Sequence, residues 1–209
     1  MLLQIKTYST SENEVQICIA SPHQFVLEHQ RRLLPDWNVA ISYIILILQQ
    51  SSVSLENSTS KVTQEKNRLR AEFIRFGCNL IFSLKEIGYP SDLFDPRTGY
   101  PLLAESGITL DDNAVVKALL NYPVVSHRQC SLLIHPEWKY NIYPSSIVTS
   151  APLDSLKCCI EQTTANRNWV IKSDAFLSRL AIGSQVADRL DEQAIQQIIA
   201  FASTFFFLA

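Results

Sequence analysis

An imidazole and a thiol stand three residues apart in His127-Arg128-Gln129-Cys130. A soft metal ion or a nucleophilic cysteine could use that pairing, because an imidazolium or a metal lowers a thiol pKa. A buried thiol that opens a strand explains the same residues more simply. Cys158-Cys159 is a vicinal pair at the end of a segment read as strand. Adjacent side chains of a strand point to opposite faces, so these two read as small buried hydrophobes rather than a chelate. His135-Pro136-Glu137-Trp138 collects an imidazole, a carboxylate and an aromatic ring in one turn. It has no adjacent nucleophile and no second carboxylate at a diagnostic spacing, which leaves a hydrolase reading weak. His23 and His29 fall six apart on a short helix and do not share a face.

Whole classes of function drop out on composition. The chain has 209 residues, enough for one well-buried domain, and 47% of them are apolar against 18% charged, so it is not disordered. Its five glycines never come closer than eight residues apart, which excludes both the Rossmann and the P-loop phosphate cradle. The formal net charge is −2. No part of the chain is basic enough to track a phosphate backbone, so nucleic acid is not an expected partner. The five cysteines are odd in number and form no C-x-x-C, which fits reduced thiols in a cytosol-like compartment. Met1 to Lys6 does not have the charge and apolar run of a signal peptide. The apolar stretches 39–48 and 195–208 are too short or interrupted to span a bilayer. The expectation is a cytoplasmic protein without a membrane partner.

The elements that must position these residues read as α+β. Residues 16–20 and 39–48 are apolar runs and predict strands, the second buried on both faces. Ser21-Pro22 predicts the cap and first turn of a helix through about Leu33. Leu69, Phe73, Phe76, Leu80, Leu84 and Ile87 form one stripe at the helical period, predicting a helix over 62–87. Gly88 and Pro90 then end it. Asp95-Pro96-Arg97-Thr98-Gly99 predicts a turn between two short extended segments. Thr109, Asp111 and Asp112 open a helix over 114–120, and residues 131–134 and 142–149 read as strands around the turn at 135–139. Ser173 and Gly183 bracket a short helix, and 191–208 reads as another. The simplest assembly is one mixed or antiparallel sheet covered by helices.

Three ordered motifs carry a family resemblance. Leu33-Leu34-Pro35-Asp36-Trp37 leads into the apolar strand. Glu86-Ile87-Gly88-Tyr89 is followed by Asp92-Leu93-Phe94-Asp95-Pro96-Arg97-Thr98-Gly99. Cys130-Ser131-Leu132-Leu133-Ile134-His135-Pro136-Glu137-Trp138 precedes Ser146-Ile147-Val148-Thr149-Ser150-Ala151-Pro152. Over about residues 15–157 the chain resembles the methylmalonic aciduria and homocystinuria type D protein family of cobalamin-trafficking adaptors. The resemblance implies a modified nitroreductase-like α+β domain without flavin and without catalytic activity. It also implies a type C-like cobalamin-processing protein or a cobalamin-dependent enzyme as partner, and no tightly bound cofactor beyond a transient cobalamin contact in that complex. In the family the first cysteine of a Cys-Cys pair is thought to bind cobalt. Registering on Trp138 puts Gln129 at that position and Cys130 at the second.

Gln129 and Cys130 are therefore the expected cobalamin-facing positions, with no catalytic residue and no metal site. An extended backbone would turn Cys130 into the core beside Leu132 and Ile134, which share its parity. A loop would leave the thiol free to turn outward, but the buried outcome is the expectation, because cysteine is among the most buried residue types. The expected division is a trafficking domain over 1–157 and a helical extension over 158–209 packed on the domain or a partner. Ile195, Ile198, Ile199 and Ala202 recur at helical spacing before Phe205-Phe206-Phe207. Such a patch must be covered by the sheet, a twin subunit in a homodimer, or a partner. A flavin-dependent nitroreductase-type enzyme and a scaffold that no longer binds cobalamin stand as alternatives.

Overall fold

The computed structural model describes residues 3–127 and 130–175. In chain order its elements begin with strands β1 (Leu3–Ser9) and β2 (Glu14–Ala20), short helices α1 (Gln24–Glu28) and α2 (Gln30–Leu33), and β3 (Tyr43–Gln50). The long helix α3 (Ser60–Glu86), β4 (Ser91–Leu93) and α4 (Asp112–Leu120) follow. Then come β5 (Val124–His127), β6 (Cys130–Leu133), β7 (Ile142–Thr149), α5 (Leu153–Asn166) and β8 (Val170–Ala175).

Six strands form one sheet in the order β4-β7-β3-β2-β1-β8, and every neighbouring pair is antiparallel. β5 and β6 make a separate two-stranded ribbon. Both faces of the sheet are covered, and β3 shows why its sequence is apolar at successive positions. Ile44, Leu46 and Leu48 pack on one side with Val26, Leu34, Val116 and Leu119 of the α1, α2 and α4 layer. Ile45 and Ile47 pack on the other with Phe73, Phe76, Leu80 and Leu84 of α3 and with Leu156 and Ile160 of α5. Alternate residues of one strand thus feed two cores.

The long helix follows its sequence pattern closely. Thr59 caps it, its Oγ1 accepting from the Val62 N–H at 3.3 Å. The stripe from Leu69 to Leu84 is buried, whereas Ile87 is the C-cap and is 53% exposed. Gly88 takes φ +90 just beyond, the left-handed geometry that a terminating glycine supplies. Gly77 sits where α3 crosses β4: a Cβ there would stand 2.9 Å from Leu93 Cδ2. The Asp95 turn is tied to α3 by a two-pronged ion pair, Arg70 Nε to Oδ1 at 2.6 Å and Nη2 to Oδ2 at 2.8 Å. Gly99 closes that turn at φ +74, donating to the Asp95 carbonyl at 2.7 Å, and Phe94 bridges Pro101.

Several sequence expectations are corrected. The first short helix is capped by His23 rather than Ser21, because His23 is extended and its Nδ1 accepts from the Phe25 N–H at 3.2 Å. The strand expected over 39–48 begins only at Tyr43. The strands flanking the 135–139 turn do not pair with each other: β6 joins β5, and β7 lies between β3 and β4. Cys158 and Cys159 lie in α5, not in a strand, since Leu156, Cys159, Ile160 and Thr163 recur at helical spacing and are buried against α3. The short helix expected from Ser173 begins instead as β8, and its remainder lies outside the described residues, as do the 191–208 helix and Phe205-Phe206-Phe207. The 157/158 division falls inside α5, and β8 adds an edge strand beside β1.

Candidate functional site

The His127 to Cys130 segment sits at the turn end of the β5–β6 ribbon. The register pairs Val124 with Leu133, Val125 with Leu132, Ser126 with Ser131 and His127 with Cys130. Arg128 and Gln129 alone separate the two strands in sequence. The candidate position Gln129 lies outside the described residues, and so do the side chains of His127 and Cys130.

The ribbon is anchored through β6 and the residue after it. Leu133 is buried in the core shared with α4. Ile134 N–H donates to the Pro123 carbonyl at 2.9 Å. Asn113 Nδ2 of α4 donates to the Ser131 carbonyl at 3.0 Å. Val125, Ser126 and Ser131 are exposed. The core position of β6 is Leu133, while Leu132 and Ile134 are only half-buried. That corrects the expectation that the Leu132 and Ile134 parity is the one facing the core, because it is Leu133 that joins the core cluster of Val115, Val116 and Leu119 of α4.

α4 itself is firmly capped, Asp111 accepting from the Asn113 and Ala114 N–H groups at 2.9 and 3.3 Å. Its first residue, Asp112, accepts from Ser146 Oγ of β7 at 2.6 Å. Removal from water pushes the Asp112 carboxyl up to about 8, against the Ser146 hydrogen bond that favours its ionised form. This part-buried link between the ribbon's supporting helix and the main sheet carries no sequence signature, since an aspartate in a first helical turn is ordinary.

Below the ribbon, the His135 turn is part of the core. His135 is 1% exposed and stacks on Trp138 at 4.1 Å, with Tyr122 edge-on at 5.3 Å. Its Nδ1 accepts from the Glu137 and Trp138 N–H groups at 3.2 and 3.0 Å, so the proton is on Nε2, which donates to Gln16 Oε1 at 3.1 Å. Burial lowers its pKa to about 4, and a neutral ring with both nitrogens engaged has a structural role. Glu137 is exposed.

The remaining candidates stay apart. His23 caps α1, and His29 stacks on Phe25 at 4.2 Å. Cys18 is fully buried, and burial pushes its thiol well up. Burial also raises the Cys159 and Cys78 thiols, while Cys158 is exposed. Among the described residues no group of three His, Cys, Asp or Glu side chains could hold a metal ion. No described helix is long and apolar enough to cross a membrane.

A comparison of the sequence with known families finds a match. The profile described as methylmalonic aciduria and homocystinuria type D protein matches residues 4–159, from β1 into α5. No curated protein matches the chain. The matched span covers most of the 209 residues. The chain thus belongs to the methylmalonic aciduria and homocystinuria type D protein family, generally considered non-catalytic, and that membership implies a role in cobalamin trafficking.

Proposed function

We propose that this protein is a non-enzymatic adaptor in cobalamin trafficking. It acts by docking onto a type C-like cobalamin-processing protein and meets the cofactor only within that complex. Family membership over residues 4–159 is the observation that carries this reading. The family also supports a nitroreductase-like ancestry for the domain, with which a sheet covered by helices on both faces is compatible.

The turn end of the β5–β6 ribbon is the contact. In sequence Gln129 and Cys130 fall there, on a ribbon that Asn113 of α4 holds at the Ser131 carbonyl and that is exposed along Val125, Ser126 and Ser131. A soft thiolate suits the axial position of cobalt, whereas a glutamine amide competes poorly for it. The adaptor therefore presents cobalamin without a thiolate–cobalt bond. The test is absorbance of cobalamin with the processing partner present. Wild type and Cys130→Ser should give little thiolate–cobalt absorbance, and Gln129→Cys should create it. A strong band in wild type that disappears in Cys130→Ser would overturn this account of the contact.

A further inference from the structure

The strands of the described residues end in four outer edges, β4 and β8 of the main sheet and the two sides of the β5–β6 ribbon. Three of these are closed in recognisable ways. At β4, Leu102 N–H donates to the Leu93 carbonyl at 2.9 Å and Phe94 bridges Pro101. β8 carries a bulge: Thr7 pairs with Ser173 and Tyr8 with Ile171, which leaves the charged Lys172 between them without a register partner. Bulges and edge lysines keep a strand from pairing with another chain. On β6, Asn113 Nδ2 takes the Ser131 carbonyl at 3.0 Å.

β5 has none of these protections. Ile134 N–H donates to the Pro123 carbonyl, and residue pairs of an antiparallel ladder alternate between bonded and open. The pairs 125–132 and 127–130 are therefore bonded, and 124–133 and 126–131 are open. Asn113 reaching the Ser131 carbonyl from outside the ribbon agrees with that phase. The N–H and C=O groups of Val124 and Ser126 accordingly face away from β6, toward water. Among the described elements only β6 packs extensively on β5. The strand holds no lysine, proline or bulge, and Val125 and Ser126 are exposed. A two-stranded ribbon also falls short of the three strands that usually make a sheet stable.

We propose that β5 accepts an extended segment of the cobalamin-processing partner as a third strand of the ribbon. This rests on the docking reading above, and continuity with that contact selects the occupant: Arg128 and Gln129 directly follow β5, so a partner engaged at the turn lies beside the open edge. Two β5 strands from two copies of this chain would meet over only four residues each, far short of the roughly 1,200 Å² that a stable interface buries. The guest strand supplies main-chain N–H and C=O groups to Val124 and Ser126 and an apolar side chain beside Val125.

The test follows amide exchange and affinity in the complex of the full chain with a type C-like protein. Complex formation should slow exchange at Val124 and Ser126 about tenfold or more, with little change at Val125, which the β6 ladder already holds. Ser126→Pro removes an outward donor that β6 does not use, so the Val125 and Leu132 amides should stay protected while the complex weakens about tenfold. Should that variant fail to fold, the exchange comparison on wild type decides. A complex that forms without slowing Val124 and Ser126 would overturn the proposal and leave the adaptor reading standing. Slowing that appears in the chain alone as its concentration rises would assign the edge to a second copy and overturn it too. Absence of any complex would overturn both.

Discussion

His135 Nε2 donates to Gln16 Oε1 at 3.1 Å across 119 residues of sequence, joining the turn after β6 to the second strand of the main sheet. Gln16 is itself buried, at 8% exposure. The imidazole must stay neutral to keep this arrangement, because Nδ1 is already an acceptor. Burial holds its folded pKa at about 4, below the usual imidazole value of 6.5. The unfolded chain therefore takes up a proton first as pH falls. The native state should lose about 3 kcal/mol relative to the unfolded state between pH 6.5 and 4. Urea unfolding of His135→Phe should show a flatter pH dependence in that window, together with lower stability at pH 8 from the orphaned Gln16 and two backbone N–H groups.

A second pH effect has the same sign and lies at lower pH. Glu65 accepts from Arg68 at 2.8 and 2.9 Å and from the Ser52 N–H at 2.8 Å, and the Arg68 hydrogen bonds hold its pKa near 2. Because the folded pKa lies below the unfolded one, the stabilisation is complete above about pH 5 and is lost as pH falls toward 2. Glu65→Gln should cost about 2 kcal/mol at pH 7, with the difference from wild type vanishing near pH 2. Equal stability of the two proteins at pH 7 would contradict this.

Asp92 holds the 102–104 segment by its backbone. The carboxylate is 1% exposed and accepts from the N–H groups of Leu93, Leu102, Leu103 and Ala104, the last at 2.6 Å. Burial nevertheless raises its pKa, so loss of water outweighs the four donors. Asp92→Asn turns an N–H₂ group toward backbone donors. It should cost about 2–3 kcal/mol and speed amide exchange at Leu102, Leu103 and Ala104 before other sites.

A chain ending at Lys157 should be markedly less stable and less soluble than the full chain. It would lose most of α5 and all of β8. Trp169 stacks on Phe76 with ring centres 5.0 Å apart and packs tilted against Tyr8 at 6.0 Å. Cys159 and Ile160 are buried in the same core. Each large apolar side chain removed forfeits about 1.5–3 kcal/mol of burial. Calorimetry that found the shortened chain as stable as the full one would contradict the packing described for 158–175.

Legibility in the sequence followed burial. α3 could be read because five inward residues repeat at one period and Gly88-Pro90 stops them; β3 could be read because both its faces are covered. β1 and β8 gave no usable signal. β1 interleaves polar residues with Ile5 and Tyr8, and β8 is an edge strand with Val170 and Ile171 exposed, so neither carries a continuous apolar run. Cys158-Cys159 misled because two small apolar residues fit a strand or a helix equally well until Leu156 and Thr163 set the period. At the candidate site, the strand beginning at 130–131 and the turn at 135 were legible from their residues. The inward position of Leu133 was not, because it depends on how the ribbon seats on α4.

The central claim is tested most directly by size-exclusion chromatography of the full chain mixed with a type C-like cobalamin-processing protein, with and without cobalamin. The account predicts co-elution of the two proteins with the cofactor, and no oxidation of NAD(P)H by the chain alone. Separate elution under both conditions, or a flavin-coloured chain that oxidises NAD(P)H unaided, would contradict it.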